Sequence, residues 1–294
     1  MTLFWKGALA GAFASLALAA LLLLLLASGG ARPPSLPLPS GPASAAAGQT
    51  HQIALVARKA ADGTMTYNGT IPGPTIEITE GDTVELTLVN EMDLDVSVHT
   101  HGVHYDIQSD GTRHTHSFAR PGGQYRYRWF AAPGTAGYWT YHDHVVCGPE
   151  EEAALCAFEG TGGTNQGLYG ALIVRRPGEP KPDKSFTLVM IGTTFNGKRF
   201  PDAPLLQARE GERVEFVVIT HGDLFHTFHL HGHRWVDPGG FRLIDTKTVG
   251  PAETHGFQVV AGEGVGPGEW LYHCHVHDHM DAGMMGFFRV TPAG

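Results

Sequence analysis

Residues 273–284 read His-Cys-His-Val-His-Asp-His-Met-Asp-Ala-Gly-Met. Cys274 offers one soft thiolate, with His279 five positions and Met284 ten positions after it. Add one more imidazole and this is the donor set of a mononuclear blue copper centre: two histidines, one thiolate and a weak thioether. His273 and His275 flank the cysteine. On an extended strand their side chains leave on the face opposite Cys274. They can therefore hold a second centre behind the first, a few covalent bonds from the sulfur. That arrangement suits electron transfer better than structural metal binding.

Three further clusters carry imidazoles: His99-x-His101-Gly102, His142-x-His144 and His226-x-x-His229-x-His231. Their spacing exposes a repeat. His99-Thr100-His101-Gly102 answers His229-Leu230-His231-Gly232 at an offset of 229 − 99 = 130. Tyr141-His142-Asp143-His144-Val145 answers Tyr272-His273-Cys274-His275-Val276 at 273 − 142 = 131. Tyr67-Asn68-Gly69 and Glu80-Gly81-Asp82 recur as Phe195-Asn196-Gly197 and Glu210-Gly211-Glu212. A nearly constant offset, 128 to 131 over four features, means a duplicated domain. The copies differ at the chemistry. Cys274 corresponds to Asp143 (274 − 131 = 143), His279 to Gly148, Met284 to Ala153 and His226 to Val96 (226 − 130 = 96). The first copy lacks the blue-copper set, while both keep their paired histidines.

The elements that must position these groups read as strands. Thr83-Val84-Glu85-Leu86-Thr87-Leu88-Val89 alternates polar and apolar, and Val214-Glu215-Phe216-Val217-Val218-Ile219 is β-branched and bounded by turn residues. With 39 Gly and 19 Pro and no long amphipathic helix after residue 50, the pattern predicts an all-β chain of two antiparallel sandwiches. Residues 49–178 form the first domain and 179–294 the second, joined at the proline-rich run Arg175-Arg176-Pro177-Gly178-Glu179-Pro180-Lys181-Pro182.

The four histidine motifs, in this order and spacing, resemble those of the multicopper oxidases, and closely the small two-domain bacterial laccases. The resemblance runs from about residue 50 to the C-terminus and includes Gly167-Leu168-Tyr169-Gly170 and 261–266. It implies two cupredoxin-like Greek-key sandwiches and four coppers per chain. By the same resemblance, a type 1 copper takes His226, Cys274, His279 and axial Met284, and a type 2 copper takes His99 and His229. A type 3 pair takes His101, His142, His144, His231, His273 and His275. It also implies one-electron oxidation of phenols and aromatic amines with four-electron reduction of O2 to water, His279 being the residue that receives the electron. Asp110 resembles a carboxylate placed near the cluster to deliver protons, although Ser109-Asp110-Gly111 is also ordinary turn chemistry. Tyr105 resembles an electron-donating tyrosine, although an aromatic there, like its counterpart Trp235, can simply pack the sandwich. Asp245 and Glu253 are weaker proton-relay candidates. Each domain supplies half of the cluster, so the resemblance implies a homotrimer with clusters shared between neighbouring chains.

Alternatives remain. A Cu(I) or Mn(II) oxidase for metal tolerance often carries methionine-rich segments, and only seven Met occur here, unclustered. Copper nitrite reductases also have two cupredoxin domains, but hold their type 1 site in the first. A structural zinc site closes with four ligands and leaves most of these histidines unexplained. A pure copper store or electron carrier has no use for eight cluster histidines.

Bulk properties narrow the partners. A net charge of −9 with no Lys/Arg cluster argues against nucleic acid. Residues 7–27 are almost purely apolar and preceded by Lys6. They read as a signal peptide or as a membrane anchor within residues 1–30, about long enough to span a bilayer. A small-residue cleavage site at Ala43-Ser44-Ala45 lies within a Pro/Ala/Ser-rich spacer over 31–48. Either reading places the folded part outside the cytoplasm. Cys147 and Cys156 then favour a local disulfide over two free thiols.

Overall fold

The structure is a computed structural model that describes residues 48–149, 153–237, 240 and 242–294. The signal or anchor expected over residues 7–27 lies outside the described residues. Among the described residues no helix is long and apolar enough to cross a membrane.

The first repeat contains β1 (Thr50–Lys59), β2 (Met65–Tyr67), β3 (Ile76–Thr79), β4 (Thr83–Asn90), β5 (His99–Thr100), β6 (His104–Tyr105), β7 (Gln124–Phe130), β8 (Gly137–His142) and β9 (Tyr169–Arg175). Its two sheets run β2-β1-β4-β7-β6 and β3-β9-β8-β5. The second contains β10 (Lys184–Ile191), β11 (Thr194–Phe195), β12 (Leu206–Arg209), β13 (Arg213–Thr220), β14 (His226–Leu230), β15 (Trp235–Val236), β16 (Leu243–Ile244), β17 (Thr246–Val249), β18 (Thr254–Val260), β19 (Gly268–Cys274) and β20 (Met285–Thr291). Its main sheets run β11-β10-β13-β18 and β12-β20-β19-β14-β17, beside a short β15-β16 ribbon. Helices are brief: α1 (Ala153–Cys156), α2 (Gly162–Gln166) and α3 (His277–Asp281).

The expectation of purely antiparallel sheets needs correction. β1 pairs with β4, β3 with β9, β10 with β13 and β12 with β20 in parallel. Alternation reports which face of a strand is buried and carries no information on the direction of its neighbour. A parallel pair needs only a crossover connection, and the long intervening segments provide it.

The alternation in β4 is realised as buried Val84, Leu86 and Leu88 against more open polar neighbours. β9 is buried at all seven positions because both of its faces are covered. Leu172 and Val174 enter the first repeat's core, while Tyr169, Ala171 and Ile173 pack against Val189, Val217 and Ile219 of the second. β13 is shared in the same way, with Val214, Phe216 and Val218 facing its own core. The two sandwiches thus meet strand-face to strand-face.

A buried ion cluster pins that contact. Glu215 on β13 is fully buried and receives Arg175 of β9 through two bonds, Nη1 to Oε1 at 2.6 Å and Nη2 to Oε2 at 2.7 Å. Tyr138 Oη, Ser185 Oγ and Gln258 Nε2 also donate to it, at 2.8, 3.0 and 3.3 Å. Burial alone would raise the Glu215 carboxyl, but Arg175 and Tyr138 hold it below the usual glutamate range.

Candidate metal centres

Strand register brings the histidine motifs together in the same way in both repeats. His99 on β5 lies opposite His142 on β8, and His229 on β14 lies opposite His273 on β19. The glycine closing each His-x-His-Gly motif has a close-approach reason. Gly102 (φ +78°) and Gly232 (φ +73°) are left-handed, and a Cβ there would fall 2.0 Å from the Trp139 ring and 2.7 Å from the Trp270 ring.

Behind Cys274, the imidazoles gather on the opposite face of β19. His231 Nε2 and His273 Nε2 are 3.2 Å apart, and His101 Nε2 and His142 Nε2 are 3.1 Å apart in the first repeat. Two nitrogens bound about 2.0–2.1 Å from one ion, roughly 90–110° apart, lie roughly 2.8–3.4 Å from each other. Both pairs have that span. Backbone carbonyls hold the other ring nitrogens. Nδ1 of His99 bonds Asp110 O at 2.6 Å and that of His229 bonds Asp245 O at 2.8 Å. Nδ1 of His142 bonds Asp143 O at 3.0 Å and that of His273 bonds Cys274 O at 3.0 Å. Each of these four bonds fixes the tautomer and leaves Nε2 as the free donor. Burial, reinforced by the neighbouring imidazoles, lowers His101 to about 4 and holds His142 well below the ordinary histidine range. Both are neutral, with a lone pair available, at physiological pH.

On the Cys274 face the geometry reverses. His226 Nδ1 and His279 Nδ1 lie 3.8 and 3.4 Å from Cys274 Sγ, and Met284 is fully buried in the same core. A thiolate and an imidazole on one divalent ion, with bonds of about 2.3 and 2.0–2.1 Å, are roughly 3.3–3.8 Å apart. His226 and Cys274 are fully buried and His279 is 9% exposed, so His279 is the more accessible imidazole. Burial, with His279 alongside, lowers His226 to about 4, and its Nε2 is buried with no hydrogen-bond partner. An imidazole kept neutral at that cost fits a ligand better than a packing residue. Both donor sets, two Nδ1 with Sγ and the converging Nε2 groups, fit copper.

In the first repeat a carboxylate occupies the cysteine position. Asp143 is fully buried. It accepts the N–H groups of Ser97 at 2.8 Å, Val145 at 3.1 Å and Val146 at 2.8 Å. The Ser97 N–H corresponds to that of Thr227, which points at Cys274 Sγ from 3.4 Å. Burial outweighs these donors and lifts the carboxyl to about 6, still ionised at neutral pH.

The lesser candidates separate clearly. Asp110 and Tyr105 both sit beside His99: an Asp110 carboxylate oxygen is 3.9 Å from Nδ1, and the Tyr105 ring centroid is 6.0 Å from that of His99. Burial and the Asp110 charge push Tyr105 upward. Trp235, its counterpart, instead stacks on Phe257 at 3.8 Å and donates to His255. Asp245 lies 3.7 Å from His229 Nδ1, whereas the Glu253 carboxylate is used by the Gly250 N–H. Cys147 and Cys156 are bridged, with Cα atoms 5.8 Å apart.

Three histidines without a sequence-assigned role are buried. His233 bonds His231 O and accepts the Gly262 N–H, so it braces a candidate ligand. His255 accepts from Trp235. His221, from the second repeat, bonds Thr140 Oγ1 at 3.0 Å and packs 4.9 Å from the His142 ring. No spacing signal marks His221, because its partners lie in the other repeat.

Profiles of the multicopper oxidase family match residues 49–179 and 175–294. The chain belongs to the multicopper oxidases. A probable nitrite reductase-hydroxylamine oxidoreductase fusion protein of Kuenenia stuttgartiensis is 36% identical over 245 residues, covering 75% of this chain and 28% of that protein. The multicopper oxidase MmcO of Mycobacterium tuberculosis is 28% identical over 248 residues, 69% of this chain and 49% of the relative. The chain thus spans less than half the length of either curated relative. Among solved structures, a multicopper oxidase superposes with a TM-score of 0.65 at 25% identity, covering 82% of this chain and 88% of that one. A copper nitrite reductase from Nitrosomonas europaea gives 0.64 at 21% identity, covering 82% and 94%, a likeness of fold alone. This multicopper oxidase therefore has two cupredoxin domains and is structurally like the small two-domain laccases.

Proposed function

We propose that this multicopper oxidase is of laccase type, oxidising phenols and aromatic amines one electron at a time at the expense of O2. His226, Cys274 and His279, with Met284 buried in the same core, would hold one copper. His99 and His229 would hold a second, and His101, His142, His144, His231, His273 and His275 a further pair. Copper bound at these positions supplies single-electron exchange with the donor and four-electron reduction of O2 to two waters.

The chain's own part is positional. The observation that carries the reading is the opposed placement on β19. Cys274 Sγ faces His226 and His279, while the adjoining His273 turns its Nε2 to His231. One peptide bond separates the two sets, which is a short covalent route for an electron. His279, the more accessible imidazole, is the contact for the donor. The Asp110 carboxylate beside His99 delivers protons toward the cluster, and Tyr105 is placed to supply an electron there.

We further propose a homotrimer. Among the described residues, ring contacts join the histidines within each quartet and none joins one quartet to the other. His231 and His275 are exposed in the single chain. A head-to-tail ring would let each half meet its complement on a neighbour. The bridged cysteines fit an exported location.

The identity to the Kuenenia relative favours nitrite reduction as the second reading. Asp143 in place of a cysteine in the first domain speaks against it. Oxygen uptake and nitrite consumption, measured side by side with a phenolic donor, distinguish the two. Uptake of O2 without nitrite consumption supports the laccase reading, and the reverse overturns it.

A further inference from the structure

Asp110 is not the end of its hydrogen-bonded chain. Its Oδ2 bonds Thr112 Oγ1 at 2.5 Å, and Thr112 Oγ1 is 3.1 Å from Nδ1 of His114. His114 is exposed, and its N–H is held by Phe158 O at 3.2 Å, in the segment that follows the Cys147–Cys156 bridge.

The Thr112 hydroxyl donates to Asp110 Oδ2, which sets the direction of the chain. Ser117 Oγ accepts the N–H groups of Gly111 and Thr112, so its own proton goes to Thr115 Oγ1. Thr115 Oγ1 donates to the Thr112 carbonyl oxygen at 3.1 Å and lies 2.9 Å from Thr112 Oγ1. A hydroxyl has one proton, and that of Thr112 is given to Asp110. The Thr112 proton therefore points at Asp110, and His114 Nδ1 must carry a proton directed at Thr112. All three groups are oriented inward, from solvent toward the carboxylate beside His99.

We propose that His114 and Thr112 are the solvent end of the path that supplies protons for O2 reduction. This rests on the oxidase reading, in which each O2 consumes four protons. In the step, His114 Nδ1–H passes its proton to Thr112 Oγ1 while the Thr112 proton passes to Asp110 Oδ2. For this the ring first takes a proton from solvent hydronium at Nε2, so that the imidazolium gives up Nδ1–H and is left neutral with its proton on Nε2; Asp110 becomes neutral, hands its proton on toward O2 reduction, and the His114 ring and Thr112 hydroxyl rotate to reset. An imidazole is the one side chain that normally both gains and loses a proton near neutral pH. Among the described residues, the hydrogen bonds of Thr112 and His114 reach no candidate metal ligand, so both act through Asp110.

The test uses the copper-loaded full chain and the variants His114→Ala, His114→Gln and Thr112→Val. Reduction of the blue centre by a phenolic donor without oxygen is expected at the parent rate in all three. Reoxidation by O2 is expected to slow about tenfold or more, with a larger solvent isotope effect, a modest share of what positioned proton transfer commonly contributes. Added imidazole should restore His114→Ala and leave Thr112→Val slow, a split that a purely structural role would not produce. Neutron diffraction of the parent protein should find deuterium on His114 Nδ1 and the Thr112 deuteron directed at Asp110. Parent-like reoxidation in the His114 variants, or a bare Nδ1, overturns the proposal while leaving the oxidase reading intact. A parent protein that takes up no O2 overturns both.

Discussion

Replacing Arg175 by alanine should be among the most damaging single changes to this fold, and its effect should depend on pH in a way that identifies the cause. Arg175 is 3% exposed and Glu215 fully buried. Breaking a buried ion pair by removing one partner costs about 3–5 kcal/mol, because the remaining charge is left uncompensated. Tyr138, Ser185 and Gln258 still donate to Glu215, which places the expected loss near the lower bound, about 3 kcal/mol at pH 7. The sign of the pH dependence follows from the carboxyl. In the parent it is held low, so its contribution is present above the ordinary glutamate range and is lost as pH falls through the depressed folded value. In the variant the guanidinium is gone and burial raises the carboxyl, so the penalty is greatest at neutral pH and shrinks on acidification. Urea unfolding of copper-free parent and variant at pH 7 and pH 5 measures this, since histidine titration is common to both and cancels in the difference. A loss below about 1 kcal/mol, or one that is the same at both pH values, would refute the reasoning.

Asp143→Ala leaves the Ser97, Val145 and Val146 N–H groups without their acceptor. At about 1–3 kcal/mol for each unsatisfied group, urea unfolding should show a loss of at least about 3 kcal/mol, and an unchanged midpoint would contradict the role given to the carboxylate. Gly163→Ala brings a Cβ to 2.3 Å from Asp143 Oδ2, so thermal unfolding should show a destabilisation of about 1–3 kcal/mol. Met284→Leu is close in volume and should keep the fold, but removing the thioether should raise the potential of the blue centre. A redox titration giving an equal or lower potential would argue against Met284 as a donor to the blue centre.

Much of the site was legible because its spacing is local and doubled. His-x-His on a strand puts two imidazoles on one face, and the repeat offset located the same pair in both copies. What stayed hidden was whatever required a partner far along the chain. Arg175 reads as part of a proline-rich linker, yet it ends β9 and reaches Glu215, 40 residues away. Asp143 reads as a lost cysteine, whereas three N–H groups fold around it as the anchor between His142 and His144. Asp110 reads equally as turn or relay; it follows a short 3-10 turn, and its carbonyl holds His99. His221 and His233 could not be told from surface histidines, since burial is set by residues that spacing does not reveal. Strand direction stays hidden because alternation reports the buried face and not the direction of the neighbouring strand.

In the proposed function, one thiolate-bound copper is wired through Cys274 to a separate group held by imidazoles alone. Copper content and the visible spectrum of the loaded parent and of Cys274→Ser test it most directly. Four coppers per chain and an intense thiolate-to-copper band are expected in the parent, with three coppers and no such band in the variant. A single copper in the parent, or a band that survives the loss of the sulfur, would contradict it.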